Sequence, residues 1–137
     1  MNGWIILCDF AEVINGKLYI QGGGWSRLNL NVVAGQGVSV YIAGKVLVPW
    51  TDTNQRRSLK VSLVDADGAQ VLIDEKPIAI DGEFEVGRPP GLPPGTEIDV
   101  PLSFRFEGVP IPPGRYRWEL SIADEPIAQA TFDVIAP

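Results

Sequence analysis

Period-two alternation of apolar and polar residues runs through this chain and is clearest in its second half. In "EIDVPLSFRFE", Ile98, Val100, Leu102, Phe104 and Phe106 fall on one face, with Asp99, Ser103, Arg105 and Glu107 on the other. "RYRWELSIAD" repeats the pattern, with Tyr116, Trp118, Leu120 and Ile122 against Arg115, Arg117, Glu119 and Ser121. "IAIDGEFEV" sets Ile78, Ile80, Phe84 and Val86 against Ala79, Asp81, Glu83 and Glu85. Such alternation predicts antiparallel sheet with one face on a core and one in water. No long window shows the i, i+3, i+4, i+7 spacing of an amphipathic helix.

Further strands are expected at about 3–10, 17–22, 38–48, 58–65, 69–74 and 127–135. Asn15-Gly16, Asp67-Gly68, Asp81-Gly82 and Pro113-Gly114 mark the breaks. Asn-Gly and Asp-Gly tolerate the positive φ of tight hairpin turns. Asp81-Gly82 sits inside an alternating run, which predicts a bulge or bend there. "WIILCDF" is apolar on both faces, as in a central strand covered on both sides or a strand at an interface. About nine short strands with frequent turns predict a two-sheet, immunoglobulin-like β-sandwich with Greek-key connections.

One detail sharpens that expectation. Gly114 precedes Tyr116 by two residues and Trp118 follows it by two, the spacing of the tyrosine corner of immunoglobulin-like domains. Pro112 stands where an acid is usual, and Trp118 occupies the place of the disulfide cysteine. Gly114, Tyr116 and Trp118 are therefore read as structural. "GRPPGLPPGTE", 87–97, is flanked at once by alternating strands, neither of which makes a core alone. It reads as a stiff crossing between strands of one domain rather than a linker, as does the second Pro-Pro-Gly at 112–114.

Four phrases taken together, "LCDFAEVINGKLYIQGGGW", "VPWTDTNQRRSLKVSLVDADG", "GEFEVGRPPGLPPGTEIDVPLSF" and "PPGRYRWEL", resemble a small family of uncharacterised bacterial proteins, common in actinobacteria and classified only as a domain of unknown function. The resemblance covers nearly the whole chain and departs mainly at about 28–37. It implies one unit occurring as short stand-alone proteins, and it brings no activity and no catalytic residues.

The totals narrow the function classes. With 137 residues, one domain spanning 1–137 is expected. A net charge of −6 argues against nucleic acid or an anionic membrane as partner, because phosphate binding needs clustered Lys and Arg. Cys8 stands alone, so no internal disulfide forms, as fits a reducing compartment. Asp9 interrupts the short apolar run near the N-terminus and no basic residue precedes it, unlike a signal peptide. The expected location is cytoplasmic.

The sequence contains no histidine, which removes Ser-His-Asp and Cys-His nucleophile systems and His-containing zinc sites. No catalytic residue, cofactor site or metal site is assigned, and the chain is expected not to be an enzyme. "GGGW" at 22–25 lacks the third glycine and the helix of a dinucleotide loop, so its glycines serve a strand exit or a close backbone approach. "DADG" at 65–68 begins like a calcium loop but lacks the closing Glu, and reads as a tight hairpin; acids Asp65 and Asp67 leave a weak Ca²⁺ site open. The acidic row Asp81, Glu83 and Glu85 reads as a solvated face, paired with Arg105 or Arg117 on a neighbouring strand. Cys8 shares parity with Trp4, Ile6 and Phe10 and reads as a buried small hydrophobe.

Two aromatics sit where strands give way to polar loops: Trp25 in "GGGWSRLN" and Trp50 in "VPWTDTNQRR". Either they cover the ends of the core or, with Arg56 and Arg57, they form an interaction site, with one of these arginines stacked on Trp50. The leading expectation is a protein-interaction or assembly module, self-associating or docking through an edge strand or an aromatic loop end. The alternative is a small-ligand or carbohydrate-binding sandwich that uses the loop tryptophans.

Overall fold

The three alternating segments lie in two β-sheets, each with its apolar face turned inward. The computed structural model describes residues 1–30 and 37–136. In chain order the strands are β1 (Asn2–Ile14), β2 (Lys17–Gly23), β3 (Arg27–Asn29), β4 (Val38–Val48), β5 (Arg57–Asp65), β6 (Leu72–Ile73), β7 (Lys76–Pro77), β8 (Ala79–Phe84), β9 (Ile98–Val109), β10 (Gly114–Ile122) and β11 (Glu125–Ile135). One sheet has the order β2-β1-β4-β9 and the other β3-β11-β10-β5-β8, while β6 and β7 form a small separate ribbon. All pairings are antiparallel except β3 with β11. The stretch 28–37 lies largely outside the described residues.

The core fills the space between the sheets. Ile42, Val46 and Val48 of β4 face Val61, Leu63, Trp118, Leu120 and Phe132 of the opposite sheet. Trp118, 1% exposed, meets the Phe106 ring across the gap with centroids 4.1 Å apart and lies nearly parallel to Phe132. Phe106 belongs to β9 and Trp118 to β10, so this contact ties one sheet to the other without a disulfide. The Tyr116 hydroxyl donates 2.7 Å to the Pro112 carbonyl and fixes the chain as it crosses from β9 into β10. Gly114 opens that strand with a φ of 156°, a conformation that side chains disfavour.

Both proline-rich stretches join strands in different sheets. The segment 85–97 runs from β8 to β9, and 110–113 runs from β9 to β10. Several local expectations need correction. Asp81-Gly82 carries no bulge: Lys60–Asp81 and Leu59–Gly82 pair in continuous register. Register shifts lie instead between Leu120 and Ser121, opposite Pro126, which lacks an N–H for the ladder, and between Val38 and Val40 where β4 pairs with β9. The strand expected over 69–74 is a bridge from Val64 to Gln70 followed by the β6–β7 ribbon. Its turn places Asp74 and Glu75 at positive φ, with no glycine to announce it.

The unexpected feature is the hairpin of β1 and β2. The first part of β1, Asn2 to Cys8, pairs with β4, and its second part, from Cys8 on, pairs with β2. In a flat sheet β2 and β9 would be separated by roughly 14 Å, three strand spacings. Yet β2 lies against β9, so the hairpin arches back over the outer face of its own sheet. Beneath it a second small core gathers Cys8, Ala11 and Ala43, packed by Ile6, Leu18, Ile20 and Tyr41. The two-faced strand is thus covered on its second side by its own chain around Ile6 and Cys8, and only there.

Candidate functional site

Glycines make the hairpin's return possible. Gly22 and Gly24 adopt φ of 58° and 87°, and the Gly24 amide donates 2.8 Å to the Leu7 carbonyl. A Cβ on Gly23 would lie 2.8 Å from Ile20 Cγ2 and 3.0 Å from Ile6 Cδ1, so its absence lets the layers close. The strand-exit and close-approach roles expected of this run are both present. Trp25 follows directly, half-buried against the main core, and its Nε1 donates 3.1 Å to Asp9 Oδ1.

Trp50 occupies a different place, in the 3-10 turn Trp50–Asp52 beyond the end of β4. Its stacking partner is Arg88, not Arg56 or Arg57: the guanidinium carbon sits 4.1 Å from the ring centroid. Arg88 also donates from Nη2 to the Trp50 carbonyl at 2.9 Å and from Nε to Thr53 Oγ1 at 2.7 Å. The Thr53 hydroxyl in turn donates to that same carbonyl at 2.7 Å. A cation over an indole with two directed hydrogen bonds is a pinned geometry, and it fastens the 85–97 crossing to the β4–β5 connection. Arg88 is therefore anchored by carbonyl, hydroxyl and ring.

Arg56 reaches Glu83 at 3.5 Å and Glu85 at 3.9 Å. Glu83 and Glu85 of the acidic row thus pair with Arg56; Arg105 stands in the other sheet and Arg117 on β10, which does not adjoin β8. Arg57 donates from Nη2 to Gln55 Oε1 at 2.7 Å and to Asp52 Oδ1 at 3.3 Å, while its buried Nε has no hydrogen-bond partner among the described residues. Trp50, Arg57 and Arg88 are brought to one end of the sandwich. Trp25 is not among them: it bonds Asp9, next to Cys8, whose strand partner is Tyr41, nine residues before Trp50. Tyr41 and Trp50 are separated by nine residues of largely extended chain, roughly 30 Å at the ordinary rise per strand residue, so the two loop tryptophans do not share one end of the sandwich.

The remaining candidates carry little free chemistry. Asp65 Oδ1 accepts from the amides of Asp67 at 2.9 Å and Ala69 at 3.0 Å, closing the hairpin turn. No group of three or more His, Cys, Asp or Glu side chains able to hold a metal occurs among the described residues. Cys8 is fully buried, its Sγ 3.5 Å from the Tyr41 carbonyl. Burial pushes its thiol above the ordinary 9.0, and the charge of Asp9 adds to the shift, so it stays a protonated thiol at neutral pH.

What sequence parity missed is the outer face of β1. Cys8 is buried, but Trp4 is 43% exposed and Phe10 38%. Five large apolar side chains stand exposed on the first two strands: Trp4, Phe10, Val13, Ile14 and Tyr19. Beside Trp4, between hairpin and sheet, is a recess of about 330 Å³ lined by Trp4, Leu18, Ile20, Lys45, Asp99 and Pro101, with Gly16 at its edge. A shallower recess of about 470 Å³ adjoins it across Asp99 and Pro101 and runs to Val86 and Arg88. The signal available in sequence was Pro101, a proline within an alternating strand, which marks an edge strand; β9 is indeed an edge.

With this architecture in view, comparison with known families gives a match that runs from residue 3 to residue 135 and so takes in both sheets, the hairpin and the Trp50 end. The chain belongs to the family of unknown function DUF6941. No curated protein matches the DUF6941 chain. The family match thus treats the hairpin and the sandwich of this DUF6941 chain as one stretch, as the second core beneath the hairpin does physically.

Proposed function

We propose that this chain is a non-enzymatic interaction module in the cytoplasm, built as one immunoglobulin-like domain with Greek-key connections. The fold reading rests on order and on one corner. Strands β1, β4 and β9 follow the A, B, E arrangement and β5, β10 and β11 the C, F, G arrangement. Tyr116, at the start of β10, makes the upstream carbonyl bond of a tyrosine corner.

The observation that carries the functional reading is the concentration of exposed apolar side chains on the β1–β2 hairpin. Scattered apolar residues are ordinary on a soluble surface, but Phe10 and Ile14 of β1 share a face with Tyr19, the cross-strand partner of Glu12, and such a group with aromatics marks a contact surface. Phe10 and Tyr41 meet there with centroids 5.2 Å apart and planes tilted by 53°, and the Arg105 guanidinium lies over Tyr41 at 5.6 Å. Aromatics with an arginine at the margin are the usual anchors of protein contacts. A second copy of the chain is the first occupant to test. Light scattering after size exclusion is expected to show a species larger than the monomer that Phe10→Ser with Tyr19→Ser returns to monomer. A monomeric wild type that also captures nothing from native lysate in a hairpin-dependent way would remove the reading.

A ligand site built jointly on Trp25 and Trp50 has no support in their placement at opposite ends of β4. The small-ligand chemistry finds a better setting beside Trp4.

A further inference from the structure

We infer that the recess under the β1–β2 hairpin is a binding site for a small neutral ring compound that has one apolar face and adjacent hydroxyls along an edge. The position of the site is fixed by strand register. Trp4, Lys45 and Pro101 are direct neighbours across β1, β4 and β9, so their side chains share the outer face of the sheet in one row. Asp99 stands two residues before Pro101 on the same face, and Lys45 Nζ lies 3.1 Å from Asp99 Oδ2. Leu18 and Ile20 form the roof, carried over the row by the hairpin. Three strands and a packed second core hold these groups, so the walls are preformed.

Size and polarity select the ligand. A volume of about 330 Å³ stands at the lower end of the range of ligand cavities, roughly 300–1,000 Å³, and suits a single ring with short substituents. An indole wall with Leu18, Ile20 and Pro101 favours a flat or puckered apolar face. The polar groups are one ammonium and one carboxylate in contact, so the pair has no net charge and favours neither an anion nor a cation. It does offer donor and acceptor side by side. Two adjacent hydroxyls match that arrangement: one accepts from Lys45, which has protons beyond the one directed at Asp99, and the other donates to Asp99. Pyranose sugars and catechol-type phenols share this chemistry.

The test follows the indole N–H resonances of the full chain by ¹H–¹⁵N NMR during titration with methyl pyranosides in one arm and catechol in the other. Trp4→Phe assigns the relevant signal. The expected result is a saturable shift of the Trp4 signal at millimolar ligand, with the Trp118 signal unmoved. Lys45→Met and Asp99→Asn, both at solvent-accessible positions, are each expected to weaken binding about tenfold while the melting temperature stays near wild type. Response to glycosides alone assigns a sugar site, and response to catechol alone a phenolic one. No shift in either arm, tighter binding of benzoate than of either class, or full affinity in both charge variants would overturn the inference.

Discussion

At the residue scale, two aromatic side chains decide more than their neighbours. Trp118 fills the centre of the core, yet its buried Nε1 has no hydrogen-bond partner among the described residues. An orphaned buried donor costs about 1–3 kcal/mol, so its removal offsets part of any lost packing. Trp118→Phe is therefore expected to lower stability by no more than about 2 kcal/mol, while Trp118→Ala, which opens a cavity between the sheets, costs about 3–5 kcal/mol. Urea unfolding of the two variants checks the contrast. Tyr116 behaves differently, because its hydroxyl is used. Tyr116→Phe loses the bond to Pro112 and is expected to cost about 1 kcal/mol at neutral pH. Burial, with the charge of Asp65 adding, holds the Tyr116 hydroxyl above its ordinary 10.0. Above pH 10 the folded state then retains a proton that the unfolded chain releases, so this contribution is full below that pH and declines as pH rises through the folded value. Melting temperatures across that range are expected to fall less steeply in the Phe variant. The identity and inward parity of both residues were readable from alternation and spacing; the missing partner of Trp118 was not, because it depends on what packs around the ring.

At the element scale, the hairpin and the crossings carry the character of the protein. Gly23→Ala would press a methyl into Ile6 and Ile20 at the hairpin's seam. It is expected to lower stability by about 1–3 kcal/mol and to move the Trp4 fluorescence by shifting the roof of the recess. An unchanged melting temperature and spectrum would mean that the hairpin lies loosely on the sheet. The 85–97 crossing is held by Arg88 on Trp50, and Arg88→Ala is expected to cost about 1–2 kcal/mol, since a stacked, doubly hydrogen-bonded guanidinium exceeds an exposed ion pair. The outer-face pair Arg115–Asp133, directly opposite on β10 and β11, closes through two hydrogen bonds at 2.8 and 3.3 Å. The Arg115 hydrogen bond holds the Asp133 carboxyl below its ordinary 3.8. Its contribution is present above that pH and is lost as pH falls through the folded value. Partial exposure of both groups and screening keep the effect small, so Asp133→Asn is expected to leave the neutral-pH melting temperature nearly unchanged. Strand periods announced most of these elements. The Asp74-Glu75 turn and the partner of Arg88 were hidden, the first because positive φ was adopted without glycine, the second because its partners are distant in sequence.

At the scale of the whole molecule, a net charge of −6 surrounds an apolar hairpin face. If that face joins copies, association is expected to strengthen with salt, because screening weakens the repulsion between like-charged chains while leaving apolar burial intact. Sedimentation at low and high ionic strength checks the direction. The sequence by itself determined the all-β character, the inward sets on β9 and β10, the use of proline-rich stretches as crossings and the absence of histidine chemistry. These follow from properties local to a strand: a two-residue period, a fixed proline φ, a missing side-chain type. Only the tertiary structure decided that β1–β2 folds back over its own sheet, that Trp25 and Trp50 lie apart, that Arg88 rather than Arg56 or Arg57 meets Trp50, and that Trp4, Lys45, Asp99 and Pro101 converge. Period two assigns each residue to a face but not what covers that face, and covering is settled by strand order and curvature, which join positions far apart in the chain.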